Sequence, residues 1–201
     1  MKLGLTTTTG KIVASVAVLG VAASVAGLGT FGAFTATTSA STTVATGTVS
    51  LALGPANSAT NRLTIGASGL VPGDTMQRAV DLTSGTQALT TVGLTTTAST
   101  SSTLDTDATN GLQMVVDSCT VPWTETGSSA PFTYSCSGTT SHPVTTTRVT
   151  QSGSLGALAA SSTDHLRVTL TLPSSASTAQ MGQSSTILFT FAGTPRAGTD
   201  Q

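Results

Sequence analysis

From residue 49 onward, apolar and polar residues alternate along most of the chain. The clearest run is His165–Leu172, in which four aliphatic residues face one way and His165, Arg167, Thr169 and Thr171 face the other. A period of two predicts half-buried β-strands rather than amphipathic helices. The other runs with strand character are Val49 to Leu53, Leu63 and Ile65, Val80 and Leu82, Leu89 to Leu94, Leu112 to Val116, Val144 to Val149, and Ser185 to Ala192.

Turn residues separate these predicted strands. Leu70-Val71-Pro72-Gly73-Asp74 contains a strong turn dipeptide, and Asn110-Gly111 is typical of a β-hairpin turn. Ser154–Ala159 and Ala176–Gln180 each predict one short helical turn, and Pro195 ends the last strand. About eight short strands without a long helix predict an all-β antiparallel sandwich, and two packed sheets of this strand number favour the jelly roll.

The start of the chain has a different pattern. An uncharged run, Ile12–Leu28, follows Lys2 and Lys11, and its roughly 17 residues are at the short limit for a membrane-spanning helix. We interpret residues 1–32 as an export signal, cleaved between Gly32 and Ala33 because small residues precede that bond. Cleavage after Ala40 and an uncleaved membrane anchor are the alternatives. The mature chain then has an arm, 33–43, and a sandwich domain, 44–201.

Charge is scarce in this chain. Charged residues make up 7% of the sequence, and both lysines lie in the predicted signal, which leaves five arginines against eight acidic residues. Binding to nucleic acid or anionic lipid requires clustered basic residues, so neither is expected as a partner. Contact with the membrane is expected only through the uncleaved signal.

The two cysteines, Cys119 and Cys136, are predicted to form a disulfide, because an exported protein meets an oxidising environment. Two free buried thiols are the alternative. Three of the seven aromatic residues, Trp123, Phe132 and Tyr134, lie between the cysteines. The segment 119–136 is therefore expected to be an excursion that packs locally and is held at its base by the disulfide.

No catalytic, cofactor or metal site is evident from the sequence. A zinc peptidase usually needs a helical H-E-x-x-H set, whereas His142 and His165 are far apart and the only glutamate is Glu125. His142 is predicted in a loop and His165 on the polar face of a strand. No G-x-S-x-G elbow occurs. Asp105-Thr106-Asp107 fails the EF-hand pattern and is better interpreted as a polar turn.

Several short segments, spread in order over the chain, resemble the TasA/CalY (camelysin) family. They are Gly29–Phe34, Val44–Leu51, Leu70–Asp74 and Leu166–Pro173, followed by Gln180, Gly182, Ser184 and Phe189–Ala192. Val44 stands where an aromatic residue is common, and the excursion 119–136 and the high threonine content depart from the family pattern.

The resemblance implies a protein secreted by a Gram-positive bacterium, with a jelly-roll fold, that remains in the extracellular matrix or on the cell surface. It also implies processing by a SipW-type signal peptidase and fibres in which the N-terminal strand of one subunit completes a sheet of the next. The partners would be further copies of this chain or related matrix subunits. The family carries a metallopeptidase label as well.

We therefore expect a structural subunit of extracellular fibres or biofilm matrix, not an enzyme. The uncharged stretch after the cleavage site suits extended pairing. Its candidate assembly residues are Thr35, Thr42, Thr43, Val44, Thr46, Thr48 and Val49. Three alternatives stay open: a disordered spacer over Thr35–Thr43, a surface metalloendopeptidase, and a surface adhesin that does not assemble.

Overall fold

The computed structural model of the protein describes residues 36–37, 49–63 and 70–197. The predicted signal, the cleavage junction at Gly32 and Ala33, and most of the arm lie outside the described residues. Of the seven candidate assembly residues, only Val49 is described; Thr35, Thr42, Thr43, Val44, Thr46 and Thr48 lie outside the described residues. Within the described ranges, no helix has the length and apolar character that crossing a membrane requires.

The described chain is built almost entirely from strands. In chain order they are β1 Ala36–Thr37, β2 Leu51–Leu53, β3 Thr75–Ser84, β4 Leu89–Thr100, β5 Gln113–Cys119, β6 Thr124–Thr126, β7 Thr133–Ser135, β8 Thr140–Arg148, β9 Ser152–Leu158, β10 Thr163–Thr171 and β11 Thr186–Pro195. A four-residue helix, α1 Thr103–Thr106, connects β4 to β5. A 3-10 helix, Thr178–Gln180, precedes β11 and lies within the predicted turn at Ala176–Gln180.

The strands form two main sheets. Sheet A has the order β1-β11-β4-β9, sheet B has the order β2-β3-β10-β5-β8, and β6 pairs with β7 in a separate hairpin. All the pairings are antiparallel. The predicted all-β antiparallel sandwich is confirmed, and the jelly-roll connectivity stays a prediction.

The core lies between the two sheets, as the alternation predicts. Leu166, Val168 and Leu170 on β10 are buried against it, and Phe191 enters it from β11 with 1% of its surface exposed. Ile187 and Phe189 pack against the same core from the partly buried half of β11. The largest fully buried side chains are Phe191, Leu82, Leu89, Leu94, Met114, Leu166, Leu172, Val80, Val116, Val149 and Val168.

The predicted turn before β3 is confirmed. The amide of Asp74 donates to the carbonyl of Val71 at 3.0 Å, which closes a four-residue turn around Pro72 and Gly73. Gly73 has a φ of 98°, and a turn with proline second and a left-handed third residue favours glycine at that position.

Three sequence interpretations are wrong. Asn110-Gly111 does not form a hairpin between neighbouring strands, because β4 and β5 belong to different sheets and the dipeptide follows α1. Ser154–Ala159 is not a helical turn; most of it lies in β9, where pairing with β4 and a φ of 99° at Gly156 override the local helical preference. Leu63, predicted in a strand with Ile65, lies in a turn, and Ile65 is outside the described residues.

Candidate functional site

The first candidate site is the outer edge of β11. On its inner side, β11 pairs with β4 from Thr186↔Thr100 to Pro195↔Leu89. On its outer side, Ala36 pairs with Gly193 and Thr37 with Ala192. No other strand within the described residues pairs with the outer edge, so its stretch 186–191 has no described backbone partner.

An edge of this kind can accept an extended segment. Exposed backbone N–H and C=O groups pair readily with another strand, and natural edges are usually protected by lysine, proline or inward-facing charge. β11 contains no charged residue, and its proline comes only at its last position, Pro195. Leu188, on the face turned away from the core, is 50% exposed.

The structure places the described ends of the predicted assembly stretch on different sheets. Ala36–Thr37, within the arm, lies in sheet A beside β11. Val49, at the other end, lies two residues before β2 and packs against the core, and β2 pairs with β3 in sheet B. The described parts of the stretch thus contact both sheets of the sandwich.

The second candidate site lies on the outer face of sheet B, under the excursion. Cys119 and Cys136 form a disulfide with an S–S distance of 2.03 Å, so the predicted pairing is confirmed. Within the loop, β6 and β7 form a hairpin. Trp123, Phe132 and Tyr134 are buried in a small cluster with Ala79 of β3, which gives the excursion an apolar core of its own.

A row of arginine, aspartate and histidine side chains lies beneath this cluster. The Arg167 guanidinium donates to Oδ2 of Asp117 at 2.6 and 3.1 Å and stacks 4.4 Å from the Trp123 ring. His142 Nδ1 lies 2.5 Å from Oδ1 of the same aspartate. His165 Nδ1 lies 2.8 Å from Oδ1 of Asp81. The polar face predicted for β10 is confirmed, and it is partly covered rather than solvated.

His142 does not lie in the predicted loop. It belongs to β8, together with Pro143. β8 is an edge strand of sheet B, where a proline can be accommodated because its missing N–H can face away from the neighbouring strand. The proline made this strand end look like a loop in the sequence.

The histidines do not form a zinc-binding set. Each imidazole contacts a different carboxylate, and Asp117 is already bound by the Arg167 guanidinium, whose positive charge opposes a cation there. Among the described residues, no group of three or more His, Cys, Asp or Glu side chains is placed to hold a metal ion. Zinc sites in proteins need three or four such ligands, so this donor set does not fit the metal.

Glu125 is the one acidic residue of the excursion, and its carboxylate is held by three hydrogen bonds. It accepts two hydrogen bonds from the Arg62 guanidinium, at 2.6 and 2.9 Å, and one from the Tyr134 hydroxyl at 2.8 Å. The bonds from Arg62 outweigh burial and hold the pKa of Glu125 below its ordinary value. Burial, assisted by Glu125, raises the pKa of Tyr134 to about 12. Sequence reasoning missed this cluster, because Arg62 is 63 residues from Glu125.

The acidic pair predicted as a polar turn lies at the two ends of α1. Asp105 and Ser102 form a capping box, and Asp105 also accepts hydrogen bonds from Ser101 and Ser185. Burial alone would raise the pKa of Asp105, but these hydrogen bonds outweigh it and lower the pKa.

The Asp107 carboxylate accepts hydrogen bonds from the amides of Thr109 and Asn110, which is the expected polar turn.

Comparison with known proteins identifies a family. The family model described as camelysin metallo-endopeptidase matches residues 7–118, more than half of the 201 residues. The match ends one residue before Cys119, so the excursion and everything after it lie outside the matched region. No curated protein matches the chain.

Proposed function

Because the chain belongs to the camelysin family, we propose that it is a secreted structural subunit that assembles into extracellular fibres or biofilm matrix by donating its N-terminal arm to β11 of another copy. The observation that carries this proposal is the pairing of Ala36–Thr37 with Ala192–Gly193 at the edge of sheet A. The arm and its acceptor edge are already complementary within one chain. Exchange of such an element between identical chains is a common route to assembly.

The register gives the exchange a definite geometry. Each step forward along the arm is one step back along β11, since Ala36 faces Gly193 and Thr37 faces Ala192. In the proposed fibre, the same antiparallel register continued by six residues would bring Thr43 opposite Thr186, the first residue of β11. The arm, 33–43, has the length needed to cover the acceptor edge of a neighbour.

Export and assembly are coupled in this proposal. A SipW-type signal peptidase would cut between Gly32 and Ala33 and free the end of the arm. While the arm remained joined to the apolar run Ile12–Leu28, that run would keep it at the membrane. Localisation in the extracellular matrix or on the cell surface follows from this route.

We also propose that this family member does not act as a peptidase. The support is the donor set on sheet B, in which His142 and His165 pair with separate aspartates and Arg167 lies on one of them. Proteolysis by the purified protein that is sensitive to chelators, and lost in His142→Ala or His165→Ala, would overturn this part of the proposal.

A pair of engineered cysteines tests strand donation. Thr37→Cys and Ala192→Cys place thiols at directly opposite positions, where Cβ atoms in antiparallel strands are about 5 Å apart. We expect oxidation of fibres to give covalent multimers and oxidation of unassembled protein to give a closed monomer, as seen in non-reducing electrophoresis. The pair Thr37→Cys and Ser154→Cys, with Ser154 on β9 across the sheet, is the matched control that should not cross-link within the chain.

Deletion of residues 33–43 gives the decisive outcome. The deleted protein should keep the circular dichroism spectrum of the folded sandwich and lose polymerisation, as judged by electron microscopy. Fibres that persist in the deleted protein would rule out donation of the arm. A protein that never polymerises, with or without the arm, would leave the surface adhesin as the better interpretation.

A further inference from the structure

A second sheet edge, that of β3 in sheet B, is covered by the loop 54–63. β2 pairs with β3 only at Ser84, Thr83 and Leu82, so it leaves the rest of that edge to other residues. Beyond it, the Asp81 amide donates to the carbonyl of Thr60 at 2.8 Å, and the Arg62 amide donates to the carbonyl of Ala79 at 2.9 Å. The loop therefore satisfies backbone groups that would otherwise be open to another strand.

The loop has little of its own to hold it there. Its only large apolar side chain is that of its last residue, Leu63, which packs against the core, and Gly54 to Arg62 contain none. Its closure depends on polar contacts, such as the bond from Asn61 Nδ2 to the Gly54 carbonyl at 3.0 Å. Segments with few buried apolar contacts open at a low free-energy cost, so the loop needs an external anchor.

The excursion supplies that anchor at Arg62. The two hydrogen bonds from the guanidinium to Glu125 form a bidentate ion pair with side chains only 18% and 11% exposed. The same guanidinium lies 4.6 Å from the centre of the Phe132 ring. Bidentate, partly desolvated pairs of this kind are stronger and more directional than exposed ones.

The excursion is itself fixed to sheet B at several points. Trp123 Nε1 donates to the carbonyl of His165 at 2.9 Å, and the Tyr134 amide donates to Gln77 Oε1 at 3.1 Å. The disulfide joins the end of β5 to Cys136 and so ties the base of the hairpin to the sheet. Arg62 is thus connected through Glu125 to an element that a disulfide joins covalently to β5.

We propose that the disulfide-closed excursion 119–136 is a clamp that holds the loop 54–63 over the edge of β3 and closes that edge to strands of other copies. The proposal rests on the proposed function in one respect: the arm is taken to pair with β11, and a closed β3 edge does not compete with β11 for it. A strand of another copy would otherwise compete for the Asp81 amide and the Ala79 carbonyl.

Amide hydrogen exchange, measured by NMR on the unassembled mature protein, tests the clamp. In Glu125→Gln, the amides of Asp81 and Arg62 should exchange about tenfold faster than in the unmodified protein, because a charge-assisted anchor is lost. The double variant Cys119→Ser with Cys136→Ser should show a larger increase at the same two amides. Amides in the β10–β5 ladder should keep their rates in Glu125→Gln.

Asp74→Asn is the matched control. It also replaces an acid by its amide next to β3, but it lies in the turn at Val71–Asp74, away from the excursion. Exchange at Asp81 and Arg62 should be unchanged in it. Unchanged exchange at both amides in Glu125→Gln, with normal folding, would overturn the clamp. Because no fibre is needed, this result is independent of whether the arm is donated.

Discussion

The two sheets of the sandwich are stabilised by different chemistry. The main strands of sheet A, β4, β9 and β11, contain no charged residue, and their polar contacts are made by hydroxyl groups such as those of Thr95 and Ser152, 3.3 Å apart. Sheet B carries Arg78, Asp81, Asp117 and Arg167 and is covered on its outer face by the excursion.

Because of this difference, the outer face of sheet B is closed by the excursion, whereas sheet A is open to pairing at its edge. The Arg167–Asp117 pair on sheet B and the Arg62–Glu125 pair above it are partly buried, and breaking either would leave a poorly solvated charge without its partner. Sheet A can pair along its edge without disturbing any ion pair. The same contrast explains why the proposed acceptor edge is in sheet A and the proposed clamp is on sheet B.

The largest expected effect distinguishes the two faces of β11. Phe191 points into the core and is 1% exposed, so Phe191→Ala should lower the free energy of unfolding by about 4 kcal/mol. Urea denaturation followed by circular dichroism measures this change.

Leu188→Ala is the matched control on the same strand. Leu188 is 50% exposed on the opposite face, so its removal should change the unfolding free energy by less than about 0.5 kcal/mol. An equal cost for both substitutions would mean that the outer face of sheet A is covered in solution. The contrast between an open sheet A and a closed sheet B would then be wrong.

The core and the faces of the strands follow from the local pattern. The alternation in His165–Leu172 predicts which side chains of β10 enter the core, and the structure places Leu166, Val168 and Leu170 there. The turn at Val71–Asp74 is equally local, because proline and glycine restrict the backbone whatever surrounds them. Features fixed by neighbouring residues in the chain are those that the sequence predicts.

Features that depend on distant partners do not show in the local pattern. β9 forms because β4 offers it hydrogen bonds, although Ser154–Ala159 alone favours a helical turn. The same holds for Glu125, whose partner Arg62 is reached only after the excursion folds back over sheet B. The predicted assembly residues from Thr35 to Thr48 stay predictions, since they lie outside the described residues.

An intermediate effect on the free energy of unfolding is expected from the Arg62–Glu125 ion pair, which joins the loop 54–63 to the excursion. Glu125→Gln removes the charge but keeps the shape, and it should lower the unfolding free energy at neutral pH by about 1 kcal/mol, after allowance for solvent screening. Chemical denaturation at several pH values measures the difference from the unmodified protein. Asp74→Asn again serves as the control and should differ little from the unmodified protein at neutral pH.

The pH dependence of that difference has a definite sign. The pKa of Glu125 in the folded protein is lowered from 4.5 chiefly by the hydrogen bonds from Arg62. The stabilisation is therefore present above pH 4.5 and is lost as the pH falls through the lower, folded-state pKa. The two proteins should converge in stability in acid. If the difference in unfolding free energy between Glu125→Gln and the unmodified protein grew on acidification, the Arg62–Glu125 ion pair would not be stabilising the folded protein.

The smallest expected change, with no effect on stability at neutral pH, is the titration of the only tyrosine. Burial, together with the hydrogen bond to Glu125 and the negative charge of that carboxylate, raises the pKa of Tyr134 from 10.0 to about 12. Absorbance at the tyrosinate band should thus show ionisation well above the ordinary range. Since the folded-state pKa is raised, the stabilisation is complete below pH 10.0 and is lost as the pH rises towards 12.

Variants separate the two causes of this raised pKa. Glu125→Gln should lower the pKa of Tyr134 only in part, because burial is the larger cause and remains. Cys119→Ser with Cys136→Ser should bring it closer to 10.0, since an opened excursion admits water to the phenol. Ionisation near the ordinary value in the unmodified protein would mean that water already reaches Tyr134. The outer face of sheet B would then be accessible to water like that of sheet A. That result would contradict the proposal that the excursion covers sheet B and clamps the loop 54–63.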